Sequence, residues 1–395
     1  MISTEMLQLG TKRSVIRELF EYGKQRANEI GADKVYDFSL GNPNVPAPTI
    51  VTDTLLDLLN NTDSTLLHSY TSAQGDISVR TTISSSINKR YGTNLSHNNI
   101  YMTVGAAASL CICAKALTVP EDEFITFAPF FPEYKVFIES AGATLKIVPA
   151  NLETFEINFE ELNNIISPKT KAILITSPNN PSGAVYSKHT IETLCSFLEK
   201  KSKEYGHIIY LISDEPYREL VYDNIEVPYV MNHYKNTLVC YSYSKSLSLP
   251  GERIGYIAVS PEMENCNDVY AAVCGAGRCL GYVCAPSLFQ HVINKCVDAT
   301  TDIEAYKENR DILYTALTQY GYDCVHPSGA FYLFVKALED NANIFCEKAK
   351  EHELLLVPGD DFGCPGYVRI SYCVKKSQIE NSLPAFKKLA LSYSK

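Results

Sequence analysis

The sequence predicts an α/β protein: a three-layer large domain around a mostly parallel seven-stranded sheet with one antiparallel strand, joined to a smaller α+β domain. Three observations carry that expectation. Seven short β-branched or apolar runs recur between Ile100 and Val259, and longer helical patterns separate most of them. The last two runs stand too close together for a crossover helix, so one of them should run antiparallel. At 395 residues the chain also exceeds the ordinary single domain of about 100–200 residues.

The elements follow in order. From Thr11 to Ile30, Val15, Ile16, Leu19, Phe20 and Tyr22 recur at helical spacing, and Gly31 ends the pattern. The stretch Asp37–Pro48 is an extended, proline-punctuated segment in which Gly41 permits close backbone approach. A helix resumes over Ile50–Leu59. The seven strands are expected at Ile100–Val104, Phe124–Phe127, Leu145–Val148, Ala172–Thr176, Ile208–Ser213, Thr237–Tyr241 and Ile254–Val259. Helices are expected at Ala106–Leu117, Tyr134–Ser140 and Thr190–Lys203 between them. Beyond Pro286 come a helix near Asp302–Tyr320, a hairpin-like run Gly329–Phe334 and a last helix near Gln378–Ala390. We assign 46–290 to the large domain, and 1–45 together with 291–395 to a small domain built from both chain ends.

Composition excludes several functions. A 46% hydrophobic content fits a globular chain and neither a disordered nor a fibrous one. The net charge of −10, from 35 basic and 45 acidic residues, argues against nucleic acid or an anionic membrane as partner. It leaves room for small anions held by a few arginines. The first residues lack the basic and apolar regions of a secretory signal, and the uncharged stretch Leu95–Ala114 is too polar to span a membrane. The thirteen cysteines form no CxxC pair, so their spacing argues against zinc. Scattered through apolar context, they fit a reducing, cytoplasmic location.

In open α/β sheets ligands bind at the carboxyl ends of strands, so the residues following each run are the candidates. Gly105 and Ala106–Ala108 open a helix whose free N–H groups suit an anion, although tight helix–strand packing explains them equally well. Phe130 and Phe131 between prolines could form a stacking wall or belong to the core. Ser177–Gly183 is a turn presenting the Asn180 amide. Asp214 ends a buried strand and needs a cationic partner there. Ser242, Ser244 and Lys245 follow the next strand, with Arg253 eight residues beyond the lysine. That group again suits a phosphate, and a lysine buried beside cations is a candidate Schiff-base former.

Taken together and in this order, Tyr70 with Gly75, Gly105-Ala106-Ala107, Pro129-Phe130-Phe131-Pro132, Asn180-Pro181-Ser182-Gly183, Asp214-x-x-Tyr217, Ser242-x-Ser244-Lys245, Arg253-x-Gly255 and Arg369 resemble the fold-type I aminotransferases of class I/II, of the aspartate aminotransferase kind. The resemblance covers nearly the whole chain. It implies pyridoxal 5'-phosphate held as a Schiff base on Lys245, which would also move the proton. Asp214 would pair with the pyridine nitrogen, and Asn180 and Tyr217 would bind the 3'-oxygen. The Ala106 and Ala107 amides, Ser242, Ser244 and Arg253 would hold the phosphate, and Phe131 would stack on the ring. Tyr70 would reach the neighbouring cofactor of a homodimer. Arg369 would clamp the substrate α-carboxylate, with the backbone at Gly41 and Asn42 closing over it.

The implied reaction moves an amino group from an L-amino acid to a 2-oxo acid, with 2-oxoglutarate as the expected acceptor, in a ping-pong cycle. A C–S β-lyase would use the same cofactor residues, because the pocket selects the bond that breaks. A cofactor-sensing regulator would need a DNA-binding domain, for which about 35 residues before the Gly41 segment leave little room. Arg278 lies roughly where aspartate-type relatives carry a second arginine for a side-chain carboxylate. A solvated or structural arginine explains it as well. Ala106–Ala108 stand where many relatives carry a hydroxyl, unless Ser109 supplies one. Gly275-Ala-Gly277-Arg-Cys-Leu-Gly281 imitates a dinucleotide-binding fingerprint but has its third glycine one place late.

Overall fold

The computed structural model describes residues 2–11 and 15–393. Its twelve strands are β1 (Tyr36–Asp37), β2 (Ile100–Thr103), β3 (Glu123–Phe127), β4 (Thr144–Val148), β5 (Thr170–Thr176), β6 (Tyr210–Asp214), β7 (Thr237–Ser242), β8 (Gly255–Val259), β9 (Tyr332–Lys336), β10 (Leu354–Leu355), β11 (Val357–Pro358) and β12 (Tyr367–Ser371). β2 to β8 are the seven expected strands and form one sheet in the order β2-β8-β7-β6-β5-β3-β4. Neighbours run parallel except β8, which lies antiparallel to both β7 and β2. The short connection before it allows nothing else.

Alternation along the strands builds the layers. Phe124, Ala172, Leu174, Ile212 and Cys240 point to one face and pack with Leu110, Cys113 and Ala114 of the helix Ala106–Leu117. Ile125, Ile173, Ile175 and Leu211 point to the other and pack with Ile191, Leu194 and Leu198 of the helix Lys188–Tyr205. Burial on both faces is why these strands read as apolar runs. The helices Val15–Ile30, Thr49–Asn61, Glu133–Ser140, Ile303–Gln319 and Lys376–Tyr393 also form close to the expected places. The expected start of the first, Thr11, ends a separate helix Thr4–Thr11, and residues 12–14 lie outside those described.

Two small sheets complete the chain. β11, β12 and β9 form an antiparallel sheet in that order, with Ser371 opposite Tyr332 and Arg369 opposite Phe334. β1 pairs in parallel with β10, Tyr36 opposite Leu354. Phe38 therefore enters one core with Tyr332, Leu354 and Phe386, joining the two ends of the chain. The helix Ser287–Cys296 straddles residue 290 and packs on the helices Thr49–Asn61 and Ile77–Tyr91. Among the described residues no helix is long and apolar enough to cross a membrane.

Candidate active site

The parallel register brings three strand ends to one edge of the large sheet. Thr176 of β5 stands opposite Asp214 of β6, and Asp214 opposite Cys240 of β7. The loops beyond these residues, the start of the helix Ala106–Leu117 and the small sheet enclose a cavity of about 580 Å³. Of the residues singled out from sequence, Ala106, Ala107, Phe131, Asn180, Asp214 and Tyr217 line it. So do Ser242, Ser244, Lys245, Arg253, Arg369 and Gly41.

Four others do not. Gly105 sits beneath the wall, at φ +95°, where an added Cβ would lie 2.6 Å from Arg253 Nη2. Asn42 is exposed and is not among the residues that line the cavity. Tyr70 is 93% exposed and lies outside the cavity lining. Arg278 is exposed near the end of the helix Cys266–Leu280 and lies outside the cavity of its own chain. The same helix contains Gly275 and Gly277, so the glycine-rich run is helical rather than a phosphate loop. Ser109 does not replace a missing hydroxyl. It is fully buried and engaged with Thr103 Oγ1 at 2.8 Å.

Local structure places each group. The Ser177–Gly183 turn is tied by Asn179, whose Oδ1 accepts from Ser182 N at 3.0 Å and Ser182 Oγ at 2.7 Å. Asn180 Oδ1 is thereby presented to Arg369 Nη1 at 3.1 Å. Arg369 Nη2 donates to Ser39 O at 2.6 Å, while its buried Nε has no partner among the described residues. The guanidinium lies over the rings of Tyr332 at 4.6 Å and Phe362 at 5.0 Å. Ser242 caps the turn that carries Lys245, accepting from Ser244 N at 3.2 Å. Its hydroxyl lies 2.7 Å from that of Ser244. Phe131 meets Tyr134 edge to face at 5.6 Å.

The electrostatics follow from burial. Lys245 Nζ donates to Gly41 O at 2.6 Å, and desolvation pulls its pKa from 10.5 down to about 8, with Arg369 and Arg253 acting in the same direction. Asp214 accepts from Tyr134 Oη at 2.6 Å through Oδ2, while Oδ1 is buried without a partner among the described residues. Desolvation pushes its carboxyl from 3.8 up to about 7; the tyrosine bond works against that shift and neighbouring Glu215 adds to it. Glu215 is itself buried in an ion pair with Arg218. Asp214 and Arg369, which carry these two unpaired atoms among the described residues, both line the cavity.

Three further groups escaped the sequence reading. Tyr134, the first residue of the expected helix Tyr134–Ser140, donates to Asp214 Oδ2. Tyr332 lines the cavity and meets Tyr217, hydroxyl to hydroxyl, at 2.9 Å. Arg17, with Val15, Ile16 and Phe20 of the helix Val15–Ile30, forms part of the wall. The apolar periodicity of that helix showed that one side is covered, with no sign of what it covers.

This architecture, with a partly buried lysine and a buried aspartate at the sheet edge and an arginine facing them from a second sheet, is that of an amino-group transferase. The chain matches the aminotransferase class I and II model over residues 33–386 and belongs to that family. It is 30% identical over 357 residues to an aspartate aminotransferase of Thermotoga maritima, covering 89% of this chain and 90% of that one. A probable aspartate aminotransferase of Methanocaldococcus jannaschii is 29% identical over 388 residues, covering 96% and 97%. A crystal structure of an amino transferase from Eubacterium rectale superposes with a TM-score of 0.98 at 60% identity, covering 100% of this chain and 99% of that one. The protein is an aminotransferase acting on amino acids, and the family implies pyridoxal phosphate as its cofactor.

Proposed function

We propose that the cavity binds pyridoxal phosphate on Lys245 and transfers the amino group of an L-amino acid to a 2-oxo acid, 2-oxoglutarate being the expected acceptor. The observation that carries this reading is the trio of a partly buried amine, a buried carboxylate and a buried guanidinium, the last two with Oδ1 and Nε unpartnered among the described residues, all lining one cavity. These residues fit the cofactor. Asp214 Oδ1 would accept from the pyridine N–H, Asn180 and Tyr217 would donate to the 3'-oxygen, and Phe131 would face the ring. Ala106 N and Ala107 N lie in the first turn of their helix, whose internal bonds begin with Ser109 N to Gly105 O. They would take the phosphate with Ser242, Ser244 and Arg253.

When bound, the cofactor supplies an electron sink for the carbanion formed at the substrate α-carbon. Arg369 orients the substrate through its α-carboxylate, and the substrate's amine would displace Lys245 from the cofactor and so free Nζ. Lys245 Nζ then takes the α-proton, and an amine near pH 8 is suited to that at neutral pH. The test is a screen of amino donors with 2-oxoglutarate, with Lys245→Ala as the inactive control. Absence of transfer from every donor, or lyase activity on cystathionine exceeding transfer, overturns the reading.

A dicarboxylic donor is the favoured class. Arg17 lines the cavity beside Lys245, Arg253 and Arg369, and relatives at 30% and 29% identity carry the names aspartate aminotransferase and probable aspartate aminotransferase. Arg278 could read a side-chain carboxylate only in a neighbouring copy of the chain. Arg17→Ala is expected to lower kcat/KM for aspartate relative to alanine by about 10–100-fold. If neither Arg17→Ala nor Arg278→Ala moves that ratio, the dicarboxylate reading fails. The exposed Tyr70 supports a homodimer in which it serves the second copy's cofactor. Thirteen free cysteines support a cytoplasmic location. We place the large domain at 46–290, continued to the end of the helix at Cys296, and the small domain in the remaining chain ends.

A further inference from the structure

We propose that Tyr332 is a positioning residue that donates its hydroxyl proton to Tyr217 Oη, so that Tyr217 keeps its own proton on the cofactor's 3'-oxygen and the substrate clamp is linked to the cofactor's proton affinity. The proposal rests on the cofactor placement given above and adds a residue that this placement does not use.

Tyr332 touches three working parts of the cavity at once. Its hydroxyl lies 2.9 Å from that of Tyr217, with the rings crossing at 78° and their centroids 5.8 Å apart. Its ring lies beneath Arg369, 4.6 Å from the guanidinium carbon. Its hydroxyl also abuts Gly41, where an added Cβ would fall 2.0 Å from the oxygen, and the Gly41 carbonyl accepts from Lys245 Nζ. Packing alone would be served by phenylalanine. A hydroxyl buried this deeply costs free energy unless it is bonded, and the bond it makes is to Tyr217.

Proton counting then sets the direction of that bond. A phenol carries one proton and can accept through its oxygen. Burial pushes both hydroxyls up from their ordinary value of 10, so both remain protonated at working pH. Before cofactor binds, either oxygen can be the donor. Once Tyr217 spends its proton on the 3'-oxygen, the 2.9 Å contact is a hydrogen bond only if Tyr332 donates. That donation makes Tyr217 a stronger donor, because hydrogen bonds in a chain polarise one another. A stronger donor favours the anionic 3'-oxygen and lowers the pH at which the bound cofactor loses its proton.

The test uses holoenzyme and reads the pH midpoint of the cofactor's visible absorption band in wild type, Tyr332→Phe, Tyr217→Phe and the double variant. Tyr332→Phe is expected to raise the midpoint by about half to one pH unit, the worth of one hydrogen bond. Tyr217→Phe should raise it further, and adding Tyr332→Phe to that variant should change nothing more. KM for the amino donor should stay within about twofold, since phenylalanine keeps the ring beneath Arg369, while kcat falls. Incorporation of 3-fluorotyrosine at 332 keeps the fold and supplies a more acidic donor, so it should move the midpoint down. A midpoint in Tyr332→Phe equal to wild type, or a full Tyr332→Phe effect that persists without the Tyr217 hydroxyl, overturns the proposal. A wild-type band that has no midpoint, or survives Lys245→Ala, overturns the cofactor placement itself and is a separate result.

Discussion

Replacing Tyr134 by phenylalanine removes the single protein donor to Asp214, and the consequence depends on pH in a way the structure fixes. Asp214 Oδ2 accepts from Tyr134 at 2.6 Å and Oδ1 has no protein partner. Desolvation raises the carboxyl from 3.8 to about 7, so in cofactor-free enzyme the folded state binds this proton more tightly than the unfolded chain. Stability from this group is therefore present at low pH and lost as pH rises through about 7. The loss amounts to about 4 kcal/mol. A bond to the protonated carboxyl is worth about 1 kcal/mol, and one to the charged form about 1.5–3 kcal/mol. The gap between wild type and Tyr134→Phe should thus widen by about 1–2 kcal/mol from about pH 5 to about pH 9. For a chain of 395 residues that is about 1–2 °C in melting temperature. Thermal melts of the cofactor-free proteins across that range measure it. Adding pyridoxal phosphate should flatten the wild-type profile, because a pyridinium on Oδ1 keeps Asp214 ionised. A gap of constant size at both ends of the range would refute the reasoning.

Two other outcomes can be checked with the same proteins. Gly105→Ala forces a side chain into a φ of +95° and against Arg253 Nη2, so cofactor retention on dialysis should fall about 10-fold or more, read by absorbance, and retention equal to wild type would remove Arg253 from the phosphate site. Lys245 is pulled down to about 8, so the rate at which cofactor-free enzyme captures pyridoxal should rise through about pH 8; a rise only near the ordinary lysine value of 10.5 would place the amine in solvent.

The large sheet could be read from sequence because its strands are buried on both faces and the connections set their direction. The same holds for Asn180, Asp214, Ser242 and Lys245, each lying at or just beyond the end of a strand that could be recognised by itself. The helix Cys266–Leu280 was hidden by Gly275 and Gly277, which look like loop residues until Gly277 is seen packed against Tyr101. The pairing of Ser371 with Tyr332, which puts Tyr332 and Arg369 at one site, is a matter of strand register. No local pattern contains it. Arg17 was invisible for a related reason: helical periodicity shows that a face is covered, and only tertiary structure shows that the cover is a cavity wall.

The joining of Ser39 to Arg369, 330 positions apart, also has a consequence for the order of synthesis. The residues of this chain proposed above to hold the cofactor run from Ala106 to Arg253 and are translated before Arg369. The segment carrying Ser39 and Gly41 must wait for β10 and β12, because their backbone partners come from that late stretch. On that assignment, a nascent chain would carry its own cofactor-holding residues before it carried the arginine proposed to hold an amino acid.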